Sequence, residues 1–303
     1  MAEHGLPWRG RLGRQTYDYV VTRLEDRKRI RDFLRQRVEY SAYALGQLEP
    51  GLFERTQWFY ARGDTGTGLV LHSRGGLGEA MFSMGDPDAV AALLSIEPGP
   101  SHTYATCEPG HTPALQTVYR LASQQPMMRM HVNRALFRPV DENTIGLNGF
   151  DIRRLNGLYA SDGAPSYYVP EHIDAGLYRG IFVEGRLVSV AGTHVVSRHE
   201  GVAVVGNVFT QRQHRGKGYA TATTSAVTAA LLQFCDDVVL TVDPDNRPAV
   251  RAYEKLGYRE ACRLVEASAT RRDPTGLAAG FRRVRATVRG RRYGGSFVSL
   301  RPS

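Results

Sequence analysis

At 303 residues, 42% hydrophobic and 23% charged, the chain has room for two ordinary globular domains. No apolar run approaches the ~20 residues that span a bilayer, and the opening MAEHGLPWRGRLGRQ lacks the apolar core of a secretory signal, so we expect a cytoplasmic protein with no membrane partner. The net charge of +9 sits at one end: nine arginines and a single acid, Asp273, lie from Arg271 onward, which leaves the body nearly neutral and argues against a nucleic-acid-binding surface there.

In chain order, residues 1–18 are expected to be an extension. Amphipathic helices follow in LEDRKRIRDFLRQRVEYSAYALGQL, then strand-like runs in QWFYAR, GLVLHS and EAMFSM. The glycines of TGTGLVLHSRGGLG (65–78) lie between strands with no helix behind them, so they read as hairpin turns. DPDAVAALLSI predicts a helix, HTYATC a strand, HTPALQTVYRLA a helix and MMRMHVNRALF a strand. This first unit is assigned to 19–138, and PVDENTIGLNG (139–149) reads as a linker.

The second unit, 150–270, repeats the succession. Tyr167 and Tyr168 stand in APSYYVPEHI, either packing or lining a pocket. GIFV, LVSVAGTHVV and VAVVGNVFT, separated by Glu-Gly turns at 184–185 and 200–201, predict a three-stranded antiparallel meander. A glycine-rich turn leads into YATATTSAVTAALLQFC, a helix. DDVVLTV is a strand ended by DPDN, and RPAVRAYEKLG is a helix with Pro248 near its start and Gly257 at its end. The layout is α/β. The segment 271–303 shows no sustained period and is expected to be a flexible, arginine-rich tail touching RNA or DNA phosphates only non-specifically. Cys107, Cys235 and Cys262 are widely spaced, without CxxC or HExxH, which predicts free thiols and no metal site.

The turn TQRQHRGKGYATAT carries the most chemistry. Gly216 and Gly218 permit unusual backbone angles and close approach of a ligand, and the helix that follows offers unpaired N–H groups and the positive end of its dipole. Gln213, Arg215 and Lys217 add donors, so a pyrophosphate is the natural occupant. GxxxxGK[ST] is absent, which excludes a P-loop. Antiparallel strands before the turn, and no third glycine, exclude a dinucleotide-binding unit. The matching place in the first unit reads GDPDA (85–89), whose aspartates repel phosphate, so that unit is expected to be a degenerate copy of the same fold without the anion site, an unrelated α/β domain being the alternative.

QHRGKG, Gln213 to Gly218, is similar to the Q/R-x-x-G-x-G/A signature of the GCN5-related N-acetyltransferase (GNAT) superfamily. NRPAVRAYEKLGY, Asn246 to Tyr258, is similar to its N-x-x-A-x-x-x-Y-x-K-x-G-F/Y helix. GTHVVS, GNVFT and RGKGYATA together resemble the FR47-like branch. The resemblance, covering about Gly149 to Glu266, implies a mixed, mostly antiparallel sheet flanked by helices, here as two tandem copies of that fold. It implies acetyl-CoA as acyl donor, no metal, and a small-molecule amine as acceptor, with a homodimer as one assembly such proteins form. Arg215, Gly216, Lys217, Gly218, Tyr219 and Ala220 would cradle the pyrophosphate. The backbone of Val208, Phe209 and Thr210 would pair with the pantetheine. Asn246 would hold the pantetheine arm, and Tyr253 would be the general acid.

Amine attack on a thioester develops an oxyanion, then a thiolate. A strand-end N–H of Val208 or Phe209 suits the first and a tyrosine hydroxyl the second. The base is left open: His194 in AGTHVVS is a candidate, as are Asp243, Glu171 and a water, and a core histidine and an acceptor-side wall residue are the alternative readings of His194. His214 reads as a rim residue, and Arg153 and Arg154 as a solvated face. The expected activity is N-acetyl transfer to a small amine. A non-catalytic acyl-CoA sensor and an acetyltransferase recruited to nucleic acid or ribosome by its tail are the alternatives.

Overall fold

A computed structural model describes residues 16–75, 78–140, 143–273 and 275–300. Most of the expected N-terminal extension, residues 1–15, lies outside the described residues. The elements are β1 (Tyr17–Leu24), α1 (Arg27–Leu34), α2 (Val38–Gly46), β2 (Thr56–Gly63), β3 (Thr67–Arg74), β4 (Glu79–Gly85), α3 (Pro87–Ile96), β5 (His102–Cys107), α4 (Thr112–Val118), β6 (Tyr119–Val132), β7 (Ile145–Leu147), α5 (Ile152–Ala160), α6 (Pro170–Asp174), β8 (Tyr178–Val183), β9 (Arg186–Ser197), β10 (Val202–Thr210), α7 (Tyr219–Leu231), β11 (Asp237–Val242), α8 (Arg247–Lys255), β12 (Arg259–Arg271), α9 (Leu277–Gly290) and β13 (Ser296–Leu300). From β1 to β6 and from β7 to β12 the order is the same: strand, two helices, three strands, helix, strand, helix, strand.

Among the described residues, thirteen strands form one sheet in the order β13-β1-β2-β3-β4-β5-β12-β6-β11-β10-β9-β8-β7. Only β4–β5 and β10–β11 pair in parallel, so the sheet is mixed and mostly antiparallel, as expected. Its centre is an exchange. The last strand of the second half, β12, lies between β5 and β6 (Ala267↔Ala105, Leu264↔Met127), and β6 of the first half lies between β12 and β11 (Met130↔Leu240).

Helix α2 of the first half crosses onto the second. Ala42 is buried with Val204 and Val239, and a Cβ on Gly46 would sit 2.3 Å from Val195 Cγ1, so only glycine allows this approach. Nearby, Glu200, 1% exposed, accepts from Arg31 Nε at 2.9 Å and Nη2 at 2.7 Å, and its carbonyl accepts from Arg35 at 2.8 Å. A carboxylate so buried is tolerable only because two guanidinium groups from α1 and its end surround it.

Four expectations are corrected. The tail is folded: α9 packs beside α3, and β13 pairs with β1 (Val298↔Tyr19). The buried positions of α9 are Ala279, Ala286 and Gly290, whereas Leu277, Phe281 and Val284 are exposed, so its inward face carried almost no hydrophobic signal. Arg271, Arg282 and Arg283 donate to the carbonyls of Gly99, Ser95 and Ile96, and the last two are carbonyls that the end of α3 leaves unpaired. The expected linker contains β7, which joins the sheet edge through Leu147↔Tyr178. The strand β1 fell partly within the expected extension. The helix expected over 111–122 ends at Val118, where β6 begins. Cys107 and Cys235 are buried free thiols, pushed up to about 11 by burial, and Cys262 is half-buried. No helix among the described residues is long and apolar enough to cross a membrane.

Candidate active site

The parallel pairing of β10 with β11 runs only from Val202 to Val205, while its other edge stays on β9 as far as Thr210↔Ser189. Beyond Val205 the two parallel strands therefore part. The ladder to β9 is irregular between Gly206 and Phe209, and Asn207 there has φ 53°. A non-glycine residue in the left-handed region must be held. Tyr159 donates to the Asn207 carbonyl at 2.7 Å, Tyr168 donates to its Oδ1 at 2.8 Å, and its Nδ2 donates to Tyr178 at 2.7 Å. The parting opens a cleft of about 800 Å³.

The glycine turn closes one end of this cleft. Gly216 and Gly218 have φ of 79° and 85°, which explains why side-chain-bearing residues are absent there. Gly218 is the N-cap of α7 and no side chain caps that helix, so its first N–H groups are available to an anion. A Cβ on Gly216 would meet no atom within 4 Å, so the space beside it is open. Arg215 is anchored by Nε donation to the Thr210 carbonyl at 3.0 Å and by Asp162 at 3.3 Å; Asp162 also accepts from the Arg212 N–H at 2.7 Å. This holds the turn against the end of α5.

The first half has the same parting of strands, and it is filled. The β4–β5 pairing ends at Phe82↔Thr106. His111 bridges Ser83 Oγ at 3.0 Å and the Gly85 carbonyl at 2.9 Å, and Tyr40 donates to the Ser83 carbonyl at 2.7 Å. Helix α3 begins on Pro87, and the Asp86 carboxylate accepts from the N–H groups of Asp88 and Ala89 at 3.1 and 3.0 Å. The start of α3 is thus capped by the chain's own carboxylate.

Of the residues singled out in the sequence, Tyr253, His194, Val208, Phe209, Thr210, Arg215, Gly216, Gly218, Tyr219, Ala220 and Asn246 line the cleft together, and Gln213 and Lys217 are exposed outside it. Tyr253, on α8, is buried; burial pushes its hydroxyl up to about 12, and among the described residues that hydroxyl has no hydrogen-bond partner. Asn246 caps α8 by accepting from the Ala249 N–H at 3.3 Å, which leaves its Nδ2 as a donor. His194 has both ring nitrogens engaged, Nδ1 with Tyr43 at 2.6 Å and Nε2 with Asn207 Oδ1 at 3.0 Å, and burial lowers its pKa. Asp243 lines the cleft and accepts from Gln125 at 3.1 Å; Glu171 is exposed and outside it. Tyr168 braces the Asn207 bulge, whereas Tyr167 is exposed.

Sequence reasoning missed the far wall of the cleft. Tyr43 from α2, Met127 from β6 and Glu266 from β12, the last bonded by Tyr104 at 2.8 Å, line it where the two halves meet. No local spacing relates these residues to the glycine turn.

Residues 151–258 match the Acetyltransferase (GNAT) family. Among solved structures, a Drosophila protein matches with TM-score 0.57 at 14% identity, over 84% of this chain and 99% of its own. A GCN5-related N-acetyltransferase from Sphaerobacter thermophilus matches with TM-score 0.52 at 16% identity, over 84% and 95%. One from Kribbella flavida matches with TM-score 0.50 at 18% identity, over 70% and 88%. At these identities the likeness is one of fold, and it extends well beyond 151–258. A comparison with curated proteins found no match.

Proposed function

We propose that the protein is a CoA-dependent N-acetyltransferase that passes acetyl from acetyl-CoA to a primary amine of a small acceptor. The observation that carries this reading is the uncapped start of α7 behind two left-handed glycines, at the mouth of a cleft that also holds Tyr253 and the freed edge of β10. Helix N–H groups and Arg215 suit the pyrophosphate. The backbone of Val208, Phe209 and Thr210, no longer committed to β11, suits the pantetheine amides as an added strand would, and the Asn246 amide suits its far end. A fixed N–H at the bulge stabilises charge developing on the thioester oxygen. Tyr253, protonated across the neutral range, hands its proton to the departing sulfur. The first half serves as a wall to the acceptor side and binds no CoA of its own.

The test is calorimetric titration of acetyl-CoA into the full chain and into a Gly216→Glu, Gly218→Glu double variant. Binding by the former and none by a still-folded variant supports the reading. A wild type that binds no acetyl-CoA refutes it.

A further inference from the structure

Resting on the acetyl-transfer reading, a second question is how the attacking amine loses its proton, since both nitrogens of His194 are occupied. Their partners fix the tautomer. Asn207 Nδ2 donates to the Tyr178 oxygen, and Tyr178 in turn donates to the Thr193 carbonyl at 3.5 Å. Asn207 Oδ1 therefore receives Tyr168 and His194 Nε2. Turning the amide over would drive the Tyr168 proton from Asn207 to Tyr159 and that of Tyr178 from Thr193, so the assignment that keeps all of these bonds places the hydrogen on Nε2. Nδ1 is then the lone-pair nitrogen, and the Tyr43 hydroxyl donates to it at 2.6 Å.

Tyr43 comes from the other half of the chain, 151 residues from His194, and it lines the same cleft as Tyr253. Burial raises its pKa, so it stays a phenol and not a standing phenolate. Behind its ring, 4.9 Å from the centroid, lies the guanidinium of Arg129, fully buried and, among the described residues, with none of its nitrogens hydrogen-bonded. That cation fixes the ring by cation–π attraction. The groups whose charge or protons reach His194 are Tyr43 on α2, Arg129 on β6, Tyr178 on β8, Asn207 on β10 and Glu266 on β12; burial above all, with Arg129, lowers the imidazole pKa, and the Asn207 hydrogen bond and Glu266 oppose them.

We propose that the acceptor amine is deprotonated through Tyr43, whose oxygen takes the ammonium proton as its own proton passes to His194 Nδ1. One N–H bond of the ammonium breaks and an O–H bond forms on Tyr43. The original Tyr43 O–H breaks and an N–H forms on Nδ1, while Nε2–H stays on Asn207. The positive charge moves from the ammonium to the imidazole, and the nitrogen pair is free to attack the thioester. Tyr43 is thus a catalytic residue supplied by the half that carries no CoA turn, and Arg129 is a positioning residue.

The full chain and the variants Tyr43→Phe and His194→Gln would be compared for acetyl transfer to butylamine, which is protonated at neutral pH, and to methoxyamine, which is not and whose adduct sheds its proton unaided. Both variants should bind acetyl-CoA as the wild type does. They should lose about 10²–10⁴-fold in kcat/KM on butylamine, lose far less on methoxyamine, and regain the butylamine rate as pH rises. Equal losses on both amines, or no loss, would overturn the relay. Nitrogen-15 spectra of the His194 ring decide independently of any acceptor. A neutral Nε2–H tautomer at neutral pH supports the relay, and an Nδ1–H tautomer or an imidazolium refutes it. A wild type that fails to bind acetyl-CoA would instead count against the acetyltransferase reading, leaving the tautomer result to stand by itself.

Discussion

Gly46→Ala is the smallest change that should separate the two halves' contributions. The new Cβ would lie 2.3 Å from Val195 Cγ1 and 3.3 Å from Cγ2, so rotating the valine only exchanges one methyl for another, and its branched side chain resists rotation. Restoring a carbon–carbon separation near 3.5 Å requires α2 to withdraw from β9 by about 1 Å. Overpacking of this kind costs about 1–3 kcal/mol, offset by up to about 1 kcal/mol from replacing a helical glycine, so the fold should survive. Tyr43 stands one turn away on the same helix, and a comparable shift would stretch its 2.6 Å bond to His194 beyond hydrogen-bond range. Displacements of that size cost about 100-fold in rate. Steady-state transfer to an alkylamine should therefore fall by about that factor with acetyl-CoA affinity unchanged, and Val195→Ala added to the variant should restore it by making room. Full activity in Gly46→Ala, or failure of the second change to rescue, would refute the placement of α2.

Glu200→Ala should cost about 3 kcal/mol by urea denaturation, at the low end for a broken buried pair because the stranded Arg31 and Arg35 reach water in part, while a Glu200→Leu, Arg31→Leu pair should recover most of it. Tyr253→Phe should lower kcat about 10²-fold and leave the acetyl-CoA Kd unchanged; since burial carries the hydroxyl to about 12, the wild-type rate should show no alkaline fall from this group within the stable range. His72, buried on β3, has its pKa lowered from 6.5 to about 4, so the unfolded chain takes up its proton first as pH drops. The stability this group contributes is whole above pH 6.5 and lost toward pH 4, about 3 kcal/mol, and the acid loss measured by thermal denaturation should be smaller in His72→Gln.

The glycine-turn end of the cleft was legible because its determinants are local. The glycines and the helix that follows them lie within one stretch and carry a local backbone requirement, whereas Tyr253 on α8 was reached through the resemblance of its helix to a family motif. The acceptor side was not, because Tyr43 meets His194 only after α2 has crossed to the other half, and Gly46, the residue that permits the crossing, looks like any helix-ending glycine. Similarly, β6 and β12 have ordinary strand composition. Nothing in their alternation says that each will pair across the halves and not beside its own β5 or β11. The fold of α9 escaped notice for a different reason: it packs through Ala279, Ala286 and Gly290, so the period that would have announced it is written in small residues while the larger apolar ones face outward.

The exchange of β6 and β12 also bears on how the half without the glycine turn is held to the other. If each half had kept its last strand beside its own parallel strand, the two could drift apart with only side-chain contacts to hold them. With β12 hydrogen-bonded to β5 and β6 to β11, the floor beneath the acceptor wall, Met127 and Glu266, belongs to both halves at once. Repeating the elements gave two strand partings and two helix N-termini. In one, Gly218 leaves the N–H groups free and the parting open. In the other, Asp86 caps the helix, and His111 with Tyr40 closes the parting. The N-cap residue and the side chains that fill the parting together distinguish the open copy from the closed one. The first half in turn delivers Tyr43 to the cleft from α2, which is seated on the strands of the second half.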